Sequence, residues 1–389
     1  MRLALYHPWV YLTSGVERTF VELLKRSRHD WVLYTHHYSP ATTYPELGDA
    51  DIRVLDPPVS VRRSFVPLAL AARRISATRI PTDAGALLVS SEGLGDFIVN
   101  RAPMPAVCFC HTPLKILHDE ATRAALREAS AAKYSALRVL GPAFSYADRR
   151  AWRRYRHIFA NSDETRRRIA AAGLAEADAV EVLQPGVDLS RFGLDPHLAP
   201  REPFFLVAGR IMWQKNVELA IDAAAVARST GHDLHVVVAG AVDEKSKPYI
   251  TALRERAAGL PVTFEPNPTD DRLTQLYRAA TALVFTARNE DWGMVPLEAM
   301  AAGCPVLAVD AGGPRESVLD GVTGWLMPPQ PQRFAEQMIA LSAASTEDLQ
   351  HLRKAARDRA AAFGWEAFVQ RVDDVMQAVA EHGLAAPAR

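Results

Sequence analysis

The sequence predicts an α/β protein built from two doubly wound parallel sheets, and three observations carry that prediction. Short apolar runs alternate with amphipathic stretches along almost the whole chain, the rhythm of βαβ units with helices on both faces of a sheet. The chain has 389 residues, which exceeds one comfortable core and favours two domains of roughly 150–200 residues. A polar, proline-bearing stretch from Gly193 to Pro203 breaks the rhythm, and a fresh apolar run, Phe204-Phe205-Leu206-Val207-Ala208, restarts it.

Taken in order, strands are expected at 2–6, 31–35, 52–55, 86–90, 106–110, 157–160 and 180–184. Helices are expected between them near 16–28, 63–77, 120–140, 145–156 and 163–172. After the break, strands are expected at 203–208, 234–239, 262–265, 282–286 and 305–309. The helices there lie near 217–229, 247–258, 270–279, 294–302, 333–344 and 347–362. The twelve strands split into domains 1–197 and 198–364. Ligands of such sheets bind beyond the carboxyl ends of the strands, so the loops there are where chemistry is sought.

Composition narrows the classes. With 49% hydrophobic and 23% charged residues the chain is globular rather than disordered or fibrous. A formal charge of zero counts against a nucleic-acid partner, and none is expected. The neutral total conceals an excess of five cations in 1–197 and of five acids in the remainder. No apolar run approaches the ~18 residues of a membrane span. The opening Met1–Pro8 has no secretory apolar region, so a cytoplasmic location is expected. Cys108, Cys110 and Cys304 cannot build a disulfide framework. Cys108, Cys110 and His111 invite a metal reading, but no second cluster completes a tetrahedron and 106–110 reads as a buried strand. No metal site is expected.

The densest chemistry lies in 289–306. Gly293 supplies a tight turn, and the amides of Met294 and Val295 then stand at a helix N-terminus, a ready-made anion site. Pro296 suits a first helical turn because it has no amide to waste. Glu290 stands before that helix and Glu298 about one turn inside it, so both can reach one ligand. Singly, each glutamate reads as an ordinary surface acid. Arg210 and Lys215 leave the strand 203–208 just before a helix, where two cations suit a diphosphate, although solvated loop cations would look the same. His111 ends the strand 106–110 and points toward an inter-domain cleft, or else is a satisfied histidine at a domain edge. Tyr11–Arg18 follows the first strand, and Gly15 there would let backbone approach a ligand. Neither a dinucleotide fingerprint nor a P-loop is present.

Together these stretches resemble the retaining GT-B glycosyltransferases of glycosyltransferase family 4. The carrying motif is a glutamate pair with seven residues between, Glu290 and Glu298, inside Asn289–Val306. Gly209-Arg210 with Lys215, Ser14-Gly15-Val16-Glu17-Arg18, Ala160-Asn161-Ser162, Pro185-Gly186-Val187-Asp188, Ala311–Glu316 and Gly321 with Gly324 are similar to further family motifs. The resemblance covers nearly the whole chain.

The resemblance implies a GT-B fold, two Rossmann-like domains facing a cleft, with the acceptor on the first domain and a nucleotide-sugar on the second. It implies that the helix near 365–382, in the terminal segment 365–389, crosses back to the first domain. Arg210 and Lys215 would hold the donor diphosphate, Glu298 the ribose and Glu290 the transferred sugar. Gly293 and the amides of Met294 and Val295 would meet sugar or phosphate. Gly15 would approach the diphosphate, and His111 would bond a sugar hydroxyl near the reaction centre. Transfer would retain configuration without a bound metal, the cations stabilising the leaving diphosphate. No cofactor is implied beyond the nucleotide-sugar co-substrate. Ser14 stands where the family has glycine, Trp292 where it has Phe, and Asn216 where it has Gly.

The strings 111–119 and 290–298 look most like mannosyltransferases, which implies GDP-mannose as donor. A UDP- or dTDP-linked hexose in antibiotic biosynthesis is the alternative. The acceptor would be a hydroxyl of a glycan, a lipid-linked sugar or a natural product. Two stretches, 149–156 with five arginines beside Trp152 and Tyr155, and 61–68, are candidates for peripheral docking on anionic lipid at the inner face of the membrane. The competing account is a solvated helix whose aromatics join the core. Rival functions are a nucleotide-sugar epimerase, a pyridoxal-dependent phosphorylase and a degenerate binding scaffold. The glutamate pair with Arg210 and Lys215 argues against the first two, and the intact set His111, Arg210, Lys215, Glu290 and Glu298 argues against the scaffold.

Overall fold

The structure is a computed structural model and describes residues 1–59, 65–81, 83–192 and 202–383. Its contacts divide the chain into two units, Met1–Pro185 with Trp365–Arg389, and Gly186–Gly364. The division falls at 185/186 rather than at the expected 197/198. Val187 and Phe192 are buried in the second unit's core, so the segment before the proline-rich stretch already belongs to that unit. Residues 193–201, the core of the expected linker, and 61–64 of the second basic stretch lie outside the described residues.

The first unit holds a seven-stranded sheet: β1 (Arg2–Tyr6), β2 (Asp30–Thr35), β3 (Ile52–Val54), β4 (Leu87–Ser91), β5 (Ala106–Cys110), β6 (Tyr155–Ala160) and β7 (Glu181–Val182). Their order is β3-β2-β1-β4-β5-β6-β7 with every pairing parallel. β1 and β4 are buried on both faces, which is why Leu3–Tyr6 and Ala86–Val89 are apolar runs rather than alternations. The helix Trp365–His382 packs in this unit. Phe368 meets Phe109 of β5 edge-on at 5.3 Å. Asp373 accepts from the Ser27 hydroxyl at 2.6 Å and the Arg28 amide at 3.0 Å. Arg371 forks onto Glu181 at 2.7 and 2.8 Å.

The second unit holds six parallel strands: β8 (Phe204–Ala208), β9 (His235–Gly240), β10 (Val262–Pro266), β11 (Ala282–Phe285), β12 (Val306–Val309) and β13 (Gly324–Met327). The order β10-β9-β8-β11-β12-β13 is the doubly wound Rossmann order, with its reversal between β8 and β11. β13 was not expected from the sequence. It is only four residues long, starts on a glycine and is half exposed at the sheet edge, so its apolar signal is weak.

One helical expectation is corrected. Breaks were expected near Gly141-Pro142, but a single helix runs Ala131–Trp152 with Pro142 inside it. The break falls instead at Ser130, whose hydroxyl caps the Lys133 amide. Pro142 is exposed, so water can serve the carbonyl that the missing proline N–H leaves free. The helix also stops at Trp152, because Tyr155 already belongs to β6.

Candidate functional site

In the second unit, loops leave β8 and β11 side by side at the point where the strand order reverses. The β8 loop turns at Gly209, whose φ of +116° suits glycine. A Cβ on Gly240 of β9 would overlap the Gly209 carbonyl oxygen, so both glycines are needed for the turn. A Cβ on Gly209 would stand 3.5 Å from the Val295 side chain, which places the β8 loop against the start of the helix Met294–Ala301.

Lys215 ends a short 3-10 turn, Trp213–Lys215, that closes on Asn216 in the left-handed region (φ 51°). Asn216, where the family has glycine, is thus a tolerated choice for that backbone. Residues after β11 hold the turn. The Thr286 hydroxyl donates to the Lys215 carbonyl at 2.8 Å, and the Arg288 amide donates to the Gln214 carbonyl at 3.0 Å. Arg288 also donates to the Asn216 side chain at 2.6 Å and to Glu218 at 2.8 Å.

So fixed, the Lys215 ammonium meets the Glu290 carboxylate at 2.6 Å, with both side chains about four-fifths buried. Gly293 caps the next helix with φ +94°. The first-turn amides of that helix have no acceptor within it, so Met294 and Val295 present donors beside the ion pair. Trp292, in place of Phe, is buried and packs on Phe363 at 5.4 Å between ring centres. One turn into the helix, Glu298 accepts from the buried Tyr277 hydroxyl at 3.1 Å. Burial, then the neighbouring carboxylate, pushes the Tyr277 hydroxyl well up, so it stays a donor. Arg210 is exposed and pairs with no acid among the described residues.

The structure therefore gathers Lys215, Glu290, Gly293, Met294 and Val295 in one place, with Glu298 on the same helix and Arg210 on the adjoining loop. Tyr277, Thr286 and Arg288 escaped the sequence reading. Tyr277 and Thr286 sit in unremarkable helix and strand-end positions, and Arg288 looks like any loop cation.

Gly15 and His111 belong to the first unit. Gly15 is the first residue of the helix Gly15–Arg26 and is exposed, and its backbone is not left-handed. Its backbone is therefore one that any residue could adopt, and no conformational need for glycine arises at this position. What shapes this loop is Ser14, the helix N-cap, whose hydroxyl accepts from the Val16 amide at 3.2 Å and donates to Glu17. Buried Glu17 also accepts from the Leu12 amide at 3.3 Å. The departure from the family's glycine pair thus has a structural cause.

His111 is 6% exposed, and its Nε2 lies 3.0 Å from the Ser90 hydroxyl. The Ser90 carbonyl accepts from His7 Nδ1 at 2.9 Å, which fixes the proton of His7 on that nitrogen. The His111 carbonyl accepts from Asn161 at 3.0 Å, which gives the Ala160-Asn161-Ser162 motif a structural task. Burial pushes the His111 imidazole down to about 3, so it is neutral at physiological pH. Cys108 and Cys110 are fully buried on one face of β5 beside Trp152, as small hydrophobes. Among the described residues no group of three or more His, Cys, Asp or Glu could hold a metal ion.

Trp152 is 2% exposed, and the Tyr155 hydroxyl donates to buried Asp96. Of the two aromatics named for membrane contact in 149–156, Trp152 is therefore a core residue, and Tyr155 packs partly buried against the core with its hydroxyl turned inward. No helix among the described residues is long and apolar enough to cross a membrane.

Comparison with known proteins follows this geometry. Residues 195–359 match the family Glycosyl transferases group 1, and residues 13–191 match Glycosyltransferase Family 4. D-inositol 3-phosphate glycosyltransferase of Nocardia farcinica is 34% identical over 54% of this chain and 49% of its own length. The same enzyme of Streptomyces bingchenggensis is 31% identical over 73% of this chain and 64% of its own. Human alpha-1,3/1,6-mannosyltransferase ALG2 is 34% identical over 40% of this chain and 42% of its own. The chain spans about half the length of the first of these relatives. Among solved structures, Anabaena HepE in complex with UDP and glucose aligns with a TM-score of 0.71 at 19% identity, over 97% of this chain and 99% of that one. Sucrose-phosphate synthase from Thermosynechococcus elongatus aligns at 0.74 with 18% identity, over the same shares. These likenesses show the fold, two Rossmann-like domains of the GT-B type. Each half of the chain matches a glycosyltransferase domain.

Proposed function

We propose that the protein transfers a hexose from a nucleotide-sugar to a hydroxyl of a glycan, lipid-linked or natural-product acceptor, with retention of configuration and without a resident metal. The observation that carries the reading is the Lys215–Glu290 pair at 2.6 Å, at the start of the helix Met294–Ala301. A cation and an acid that close would meet adjacent groups of one ligand, a phosphate and the sugar hydroxyls next to it. Lys215 and Arg210 neutralise the leaving diphosphate in place of a metal, with Arg210 as a fork and Lys215 as a point charge. The amides of Met294 and Val295 add fixed dipoles at the same spot. Glu298, held by the Tyr277 hydroxyl, accepts from a ribose hydroxyl.

His111 enters as a neutral hydrogen-bonding group for a sugar hydroxyl rather than as an acid, since it is not in its imidazolium form near pH 7. Same-face attack follows, a diphosphate oxygen taking the acceptor proton as the glycosidic bond to the nucleotide breaks. GDP-mannose is the proposed donor, supported by the likeness to a mannosyltransferase. A UDP-linked hexose is the second reading, favoured by the fold neighbour that holds UDP and glucose.

The test is a thermal-shift panel of GDP, UDP, dTDP and ADP with their hexose forms, because a ligand of the folded state raises its melting temperature by mass action. A shift with GDP and GDP-mannose supports the first reading, and one with UDP species alone selects the second. No shift with any member overturns the nucleotide-sugar site. Proton NMR of the product's anomeric signal tests retention, and activity in excess EDTA tests metal independence.

A further inference from the structure

We propose that the outer face of the helix Ala131–Trp152 docks the first unit on an anionic phospholipid surface. On this helix Val139 is 77% exposed, Leu140 61% and Tyr146 64%, three of the most exposed large apolar residues in the described chain. Val139, Pro142 and Tyr146 fall at i, i+3 and i+7, so they share one stripe. Arg138 and Arg150 flank that stripe, and Arg153 and Arg154 extend it past the helix end, all four exposed.

The charge of the face is one-sided. From Ala129 to Ser162 seven residues are Lys or Arg and only one, Asp148, is acidic. Asp148 is 1% exposed and engaged by His118 at 3.0 Å, so no acid on this stretch reaches the surface. Of the aromatics that a reading of 149–156 alone would insert, Trp152 is a core residue and Tyr155 packs partly buried against the core, so the insertion falls to Val139, Leu140 and Tyr146, about two to four turns before Trp152.

An apolar stripe edged by long cationic side chains is the arrangement of an interfacial helix, with the stripe among acyl chains and the cations at lipid phosphates. A second copy of this chain is a poor occupant, because a two-fold contact would set cation against cation with no acid between them. Lipid phosphate is the complement the charge requires, and lipid chains are the complement the apolar stripe requires.

The test is co-sedimentation of the full chain with vesicles of phosphatidylcholine alone and of phosphatidylcholine mixed with phosphatidylglycerol, at low and high salt. Binding is expected to the mixed vesicles only, and to be lost as salt screens the arginines. The double variant Val139→Ser/Tyr146→Ser and the double variant Arg150→Glu/Arg153→Glu should each lower partitioning by about tenfold or more. Melting temperatures close to that of the parent show that the variants fold. No binding to mixed vesicles at low salt overturns the proposal. So does binding that the serine variant leaves intact while the glutamate variant abolishes it, which would mark a soluble polyanion or acidic protein. A dimer in sedimentation velocity that the serine variant dissociates would also overturn it. The readout is partitioning, so the result stands apart from whether sugar transfer is confirmed.

Discussion

A Cβ placed on Gly312 would overlap the carbonyl oxygen of Glu290. Its neighbour Gly313 stands in the same relation to the Trp292 carbonyl and donates its amide to the Glu290 carbonyl at 3.2 Å. The loop after β12 is thus seated, backbone on backbone, against the loop that carries Glu290.

Gly312→Ala should therefore disturb that loop as well as strain its own backbone. Gly173 provides the control, since its φ of +64° matches the +65° of Gly312 while its Cβ position is empty. Both alanine variants carry the backbone cost, of order 1 kcal/mol. Gly312→Ala should lose about 1–3 kcal/mol more, from forced displacement of packed atoms. Denaturant unfolding of the pair measures the difference, and equal losses would mean that the contact is inconsequential.

Lys215→Ala should reduce kcat/KM at least ~100-fold, because it removes the charge proposed to face the donor diphosphate. Lys215→Arg should recover only part of this, since a planar fork does not reproduce a point charge in a site shaped by the 213–216 turn. Steady-state kinetics with the donor identified by thermal shift checks both. An alanine variant of near-normal activity would remove Lys215 from the site.

Tyr277→Phe keeps the buried ring and deletes the donor to Glu298. Nucleotide affinity should fall by about fivefold, the worth of roughly 1 kcal/mol for one hydrogen bond to a charged group that reorients on loss. Calorimetric titration of the nucleotide reads the change. Unaltered affinity would mean that Glu298 needs no orienting partner.

The His111 imidazole gives a stability signature. Its pKa is held near 3 in the folded chain by burial, against 6.5 in the unfolded one. As pH falls below about 6.5, the unfolded state binds a proton that the folded state refuses, so folding weakens progressively toward pH 3. His36, lowered to about 4 by burial, acts in the same direction. Asp96, raised to about 7 chiefly by burial, acts oppositely between about pH 4 and 7, since the folded state then holds a proton the unfolded state has released. Comparing wild type with His111→Asn cancels the other two. The wild type should lose stability relative to the variant on acidification, and parallel curves would refute the assignment.

Much of the cluster around Lys215 and Glu290 is legible in the sequence. Gly293, Pro296 and the two glutamates mark a strand–turn–helix with its N-terminus free for an anion, and each mark is local chemistry that survives in any tertiary context. Gly15 reads in the sequence as a point of close approach, but its backbone has no need of glycine. Only the Ser14 hydroxyl on the Val16 amide and the burial of Glu17 reveal an ordinary helix start. Trp152 misled for a related reason. Arginines surround it in sequence, but the helix turns it inward while Val139 and Tyr146 face out, and the position of a helix relative to its core is a long-range fact.

The sequence by itself determined that strands and helices alternate, that both sheets are parallel, and that charged and glycine residues collect at strand ends. Those follow from apolar periodicity and turn chemistry, which act over a few residues. Only the tertiary structure decided which charged groups meet. Lys215 and Glu290 are 75 positions apart and are joined because the strand order reverses between β8 and β11. Ser90 reaches His111 because β4 and β5 lie side by side in parallel register, and Tyr277 reaches Glu298 from the helix before β11 to the helix after it. Side-chain partnership across a sheet depends on register and strand order, and those are settled by packing of the whole domain.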